Sequence, residues 1–200
     1  MTKIFATLLF LACLSTSIFA QDKPLIKLNV TINGKPFTIY DGDSIQYQNT
    51  NIVIKTSNYL TFNFEGLRFD YPSYLSFETT KNEGVSSYTL DGNDLVLSYH
   101  IFDAAIDFDM FVGELVKQFG KKNCKVVERK IRLGSQELTG KRINVELIGA
   151  KLTYDIYPIT MSDSKTHFIS FQDSKNVDGS DSDDLKETME IIQKTIEYTK

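Results

Sequence analysis

From Leu25 to Phe102 the apolar positions recur with a period of two, β-branched and aromatic residues alternating with polar ones, the signature of strands. Leu28, Val30 and Ile32 share one face, Asn33-Gly34 is a hairpin signal and Phe37-Ile39 starts the return strand. Asp41-Gly42-Asp43 turns the chain again. Strand signals follow over Ile52-Val53-Ile54, Leu60 to Phe64, Leu67 to Tyr71, Ser87 to Leu90 and Leu95 to Ile101. The period changes at about Asp103: Phe108, Phe111, Val112, Leu115 and Phe119 fall at helical spacing, with Asp107 and Asp109 at the start and Gly120 at the end. Strands resume over Lys125 to Leu133, with Val127, Ile131 and Leu133 on one face and Glu128, Lys130 and Arg132 on the other. Further strands are predicted over Leu138 to Leu147, Lys151 to Tyr157 and Thr166 to Gln172. A closing helix carries Leu185, Met189, Ile192 and Ile196 on one stripe, with Ser182 as N-cap. Two helices cannot supply the crossovers that a parallel sheet of this size needs. The pattern therefore predicts an α+β fold, a largely antiparallel sheet with two main helices packed on it.

Residues 1–20 have the build of a secretory signal: Lys3 supplies the positive start, Ile4 to Leu14 the apolar core and Ser15 to Ala20 the small residues before a cleavage point after Ala20. An alternative reading takes Leu11-Ala12-Cys13 as the end of a lipobox, with a lipid anchor at Cys13. Both send the chain out of the cytoplasm, to the periplasm or the medium of a bacterium. The expected remainder, 21–200, is a single α+β domain with a strand-rich extension over 21–58 and a core over 59–200. Loss of the signal shifts the net charge from -4 to about -5, because Lys3 goes and no acid does, and it leaves Cys124 as the lone cysteine. One cysteine closes no intrachain disulfide, so the domain relies on its apolar core. The acidic balance gives no reason to expect nucleic acid, and two cysteines with two histidines are too few for a Cys/His zinc cluster. No metal or cofactor site is expected.

Gly42-Asp43-Ser44-Ile45 resembles the nucleophile block of GDSL-type hydrolases, and a serine esterase would pair Ser44 with His167 and Asp163. The spacing departs from that family: Asp163 precedes His167 by four residues rather than three, and Ser44 runs into strand residues rather than a helix. A β-turn built from Asp and Gly explains the block. Asp173, Asp178, Asp181, Asp183 and Asp184 invite a calcium reading. An EF-hand loop aligned on Asp178-Gly179 would, however, start at Ser174 and end at Leu185, so an acidic turn feeding a helix explains the cluster. The strongest charge asymmetry runs from Lys117 to Arg132. There Lys121, Lys122, Lys125, Lys130 and Arg132 are candidate binding residues for an anionic lipid surface, a polysaccharide or an acidic partner. The competing reading is a helix C-terminus followed by the charged edge of a sheet. Cys124 lies inside this basic stretch, which favours a lowered thiol pKa. Tyr47, Tyr59, Tyr71 and Tyr74 are candidates for an aromatic groove floor.

The run Leu67-Arg68-Phe69-Asp70-Tyr71-Pro72-Ser73-Tyr74-Leu75-Ser76-Phe77 resembles the early aromatic-x-Tyr-Pro-Ser strand pair of the PsbP-like fold, shared by the photosystem II extrinsic protein and the Mog-type Ran-binding proteins. The order that follows, strands, one helix, strands, a closing helix, is also similar over about 67–198. A tryptophan common after the Pro-Ser pair is replaced by Tyr74 or Leu75, and residues 25–58 have no counterpart. The resemblance implies a helix-flanked antiparallel sheet and a non-catalytic habit of binding a protein, glycan or small-molecule partner. It transfers no site residue.

Overall fold

The computed structural model describes residues 27–199. The predicted signal, the Cys13 lipobox and residues 21–26 of the extension lie outside the described residues. These divide into two compact units, with the boundary between Thr56 and Ser57.

The first unit is two antiparallel hairpins. β1 (Lys27–Ile32) pairs with β2 (Lys35–Tyr40), and β3 (Ser44–Tyr47) with β4 (Thr50–Val53). Each turn needs two left-handed residues in succession. Asn33-Gly34 (φ 47° and 78°) supplies the first, and Gln48-Asn49 (φ 46° and 62°) the second. Asp41 ties the end of the unit to the β2–β3 connection, accepting from the Thr56 N–H at 2.6 Å and the Thr56 hydroxyl at 2.7 Å.

The second unit is built on a seven-stranded antiparallel sheet. Its strands are β7 (Ser76–Asn82), β8 (Val85–Asp91), β9 (Leu95–Phe102), β10 (Cys124–Leu133), β11 (Gln136–Leu147), β12 (Ala150–Ile159) and β13 (Thr166–Ser174). The order across the sheet is β10-β11-β12-β13-β9-β8-β7. A second sheet of three strands has β6 (Leu67–Pro72) between β5 (Tyr59–Phe64) and β14 (Glu197–Tyr198). The α+β prediction with a largely antiparallel sheet and two helices holds.

Helix α1 (Phe108–Phe119) is capped by Asp107, whose carboxylate accepts from the Met110 N–H at 2.8 Å. Its Val112 joins Ile143, Val145, Ile156 and Phe168 in a cluster on one face of the large sheet. Helix α2 (Asp183–Thr195) starts at Ser182, whose hydroxyl accepts from the Leu185 N–H at 3.1 Å. Its Leu185 and Ile192 join the larger core with Leu97, Tyr157, Phe171 and the inward residues of β6. Alternation along the inner strands of the large sheet thus feeds two separate apolar layers, one under each helix.

The β11–β12 pairing runs from Leu147↔Ala150 to Lys141↔Ile156 and goes no further, although β11 extends back to Gln136 and β12 on to Ile159. Two residues mark the place where the pairing ends. Pro158 has no N–H to give to a ladder. Gly140 lies so close to β12 that a Cβ on it would meet the Ile156 carbonyl oxygen at 2.0 Å and the Tyr157 ring at 2.5 Å.

Candidate functional site

Strand β10 forms one edge of the large sheet, and its residues Lys125 to Lys130 are all exposed. Two adjoining depressions lie beside it. A cleft of about 230 Å³ runs between the sheet and α2, and an open groove of about 910 Å³ lies between β10–β12 and the loop leading into α2. Arg142 and Asp181 line both.

Arg142 is the structural centre of this region. Its Nε donates to Asp155 Oδ1 and its Nη2 to Asp155 Oδ2, both at 2.6 Å, with both side chains largely buried. The hydrogen bonds from Arg142 hold the charged pair together; for Arg142 they raise the pKa further, against the opposing effect of burial. Beside it Lys175 Nζ lies 2.8 Å from the fully buried Asp173 Oδ2 and is also paired with Asp181. Burial pushes the Asp181 carboxyl upward, but Lys175 outweighs it and holds the group below the usual carboxylate range. The Tyr157 phenol, floored between these charges, is raised by burial and by Asp155, with Arg129 and Arg142 opposing.

The predicted basic residues separate. Lys122 and Lys125 line the open groove, Lys130 lines the cleft, and Lys121 and Arg132 are exposed elsewhere along the edge. Arg132 turns back to donate from Nε to the Gly134 carbonyl at 3.4 Å. The groove adds two residues that sequence reading missed, Lys151 and Arg142. They sit on β12 and β11, and only the antiparallel register brings them beside Lys125: Lys125 faces Asn144, and Asn144 faces Thr153. Among the described residues Lys122, Lys125 and Lys151 make no ion pair, whereas Lys117 pairs with Glu114, Lys141 with Asp109, Lys186 with Asp183 and Lys194 with Glu190.

Cys124 lies at the start of β10, with its Sγ 4.0 Å from the Val116 carbonyl, and burial pushes its thiol pKa up. The basic neighbours predicted a lowered value. They point to solvent, and desolvation of the sulfur decides the sign.

Ser44 is an exposed residue opening β3 in the first unit, while Asp163 and His167 lie together in the second. His167 is buried, with Nε2 2.8 Å from Asp163 Oδ1 and Nδ1 2.7 Å from the Tyr99 hydroxyl. Partial desolvation of Asp163 acts upward, but the His167 ring and the Lys165 N–H hold its carboxyl below the usual range. In the neutral ring Nε2–H therefore donates to Asp163 and Nδ1 accepts from the Tyr99 O–H, whose proton burial retains. Both nitrogens are engaged. His100 is occupied as well, with Nδ1 2.8 Å from the Ser87 hydroxyl, and burial lowers its pKa.

The acidic residues of the α2 approach each have a partner. Asp173 and Asp181 hold Lys175, and Asp178 accepts from the Ser180 N–H at 2.9 Å. Asp183 pairs with Lys186, and Asp184 Oδ2 accepts from the Asn93 and Asp94 N–H groups at 3.0 and 3.1 Å. Of the aromatic groove candidates, Tyr71 is a core residue, Tyr59 and Tyr74 are exposed in the second unit, and Tyr47 belongs to the first, where its ring meets Phe37 edge-on. Tyr71 therefore offers no exposed groove surface, whereas Tyr59 lines a depression of about 290 Å³ against α2.

No protein-family model matches the chain, and no curated protein matches it.

Proposed function

We propose that the protein is an exported binding or accessory protein that engages an anionic surface, a polysaccharide or a lipid headgroup layer, through the groove beside β10, without catalysing a reaction. One observation carries the reading. In a chain of net charge -4, Lys122, Lys125 and Lys151 line one groove and none of them has a carboxylate partner among the described residues. The three lysines reach the groove from different elements and, with Arg142 and Lys175, outnumber Glu146 and Asp181, which also line it, so the groove carries a local positive potential. The groove is wide and shallow, which suits an extended polyanion.

The PsbP-like reading is supported by the Phe69-Asp70-Tyr71-Pro72-Ser73 run at the end of β6 and into the turn after it, and by the element order that follows: strands, a helix, strands, a closing helix. Members of that fold class bind partners rather than catalyse, which agrees with the groove. Export is supported by the apolar run over 4–14 and the small residues up to Ala20. The serine-hydrolase reading has less behind it, because His167 keeps no ring nitrogen for Ser44.

The test is retention on immobilised sulfated polysaccharide and on liposomes containing phosphatidylglycerol, at low and high salt. Wild type is expected to be retained at low salt on one of the two and released by salt. The Lys122→Glu/Lys125→Glu/Lys151→Glu variant is expected to flow through. Retention that charge reversal leaves unchanged overturns the reading.

A further inference from the structure

We infer that the cleft between β10–β12 and α2 is a separate binding site for a small monocarboxylate with an apolar body. The inference concerns the cleft and stands without the groove reading.

The cleft has a polar end and an apolar wall. Arg129, Arg142 and Tyr157 bring donors to one end, and Ile131, Leu185 and Met189 form the wall. Gly140 makes room for this arrangement. It pairs with Arg129 across β10–β11, and its missing side chain is what lets the Tyr157 ring lie over β11 as the floor. Ile131 and Met189 are only partly buried, each packed on the edge of the core, so apolar surface remains for a ligand to cover. Met189 adds a side chain that adapts its shape to an occupant.

Charge accounting selects the class of ligand. Four cations line the cleft. Arg142 is held by Asp155, Lys186 by Asp183, and Lys130 lies 4.0 Å from Glu128. Arg129 alone has no carboxylate partner among the described residues. Arg142 spends Nε and Nη2 on Asp155, and its Nη1 makes no hydrogen bond among the described residues. The polar end thus presents one unneutralised guanidinium, one free edge of a neutralised one and a protonated phenol. This set matches a single negative charge spread over two oxygens. Asp155 and Asp181 also line the cleft and oppose each further negative charge, so a dianion gains less there than a monoanion does. At about 230 Å³ the cleft falls below the ~300–1,000 Å³ of drug-sized ligand pockets, so the apolar body is short.

A carboxylate beside an apolar group is offered by a medium-chain fatty acid and by the C-terminus of a peptide ending in an aliphatic residue. Titration calorimetry with octanoate and with N-acetylleucine distinguishes these sources, and octanol and octyl phosphate serve as neutral and dianionic controls. Octanoate or N-acetylleucine is expected to bind the full chain, with octanol and octyl phosphate each weaker by about tenfold or more, the worth of one charge-assisted hydrogen bond. Arg129→Gln is expected to weaken binding by a similar factor and Arg129→Lys by less; circular dichroism checks that both stay folded. The Lys122→Glu/Lys125→Glu/Lys151→Glu variant is expected to bind as wild type does. The proposal is overturned if neither carboxylate binds, if octanol or octyl phosphate binds as well as octanoate, if Arg129→Gln binds unchanged, or if the lysine variant alone loses binding.

Discussion

Arg142 and Asp155 stand directly opposite each other on β11 and β12 and close a two-bond ion pair, 2.6 Å on each side, on the face of the sheet that α2 covers. The same row continues through Phe171 and Leu97, so a charged pair and the apolar core occupy successive strands of one layer.

Removing one member of that pair strands the other charge in a largely buried place. Asp155→Ala is expected to cost about 3–5 kcal/mol of unfolding free energy in denaturant titration, and Arg142→Met/Asp155→Leu to recover most of it. Equal losses in the single and double variants would show that packing, not the unpaired charge, sets the cost.

Gly140→Ala places a methyl where the Ile156 carbonyl oxygen already stands, and backbone cannot swing away as a long side chain can. A loss of about 1–3 kcal/mol is expected, the range for overpacking. Gly84→Ala on the β7–β8 turn has open space around it and only its φ of 75° to resist, so it separates crowding from backbone strain.

His100 makes stability depend on pH. Burial lowers its pKa in the folded chain, so the unfolded chain binds the extra proton first. Its contribution is complete above the ordinary value of 6.5 and is lost as pH falls below that value toward the folded pKa. Urea midpoints between pH 7.5 and 5 should fall less in His100→Gln than in wild type.

Asp184 joins α2 to the β8–β9 turn through two backbone N–H groups and also receives the Tyr74 hydroxyl at 3.3 Å. Asp184→Ala is expected to destabilise the chain by about 1–2 kcal/mol. Amide hydrogen exchange should speed up at Asn93 and Asp94, and unchanged protection there would refute the link.

A fluorophosphonate probe is expected to leave the protein unlabelled. Labelling that disappears in Ser44→Ala would restore the hydrolase reading.

Elements that bury one face were legible in the sequence. β9 alternates buried and half-buried residues along its whole length, and its alternation was plain; the two helices announced themselves through Asp107, Ser182 and their apolar stripes. β7 was not predicted. All seven of its residues are exposed, Phe77 is its one apolar residue, and an edge strand without a buried face leaves no period of two to read. β14 is two residues long and exists through its pairing with Arg68 and Leu67. The site was legible in part for the same reason. Lys122 and Lys125 are neighbours in sequence and formed a visible patch, whereas Arg142 and Lys151 reach the groove through strand register. Arg129 lies inside the Lys117–Arg132 basic stretch, but only the strand register that sets it beside Gly140, with Tyr157 beneath, gives it a cleft.

The Glu197–Tyr198 strand has a kinetic consequence. Its partner is β6, and the Arg68–Glu197 ion pair spans 129 positions of chain. Contacts of that separation form late, because a long loop must close before they repay its entropy. The three-stranded sheet therefore cannot be completed until residues near 198 have been synthesised, and a nascent chain stopped before them keeps β6 with an open edge.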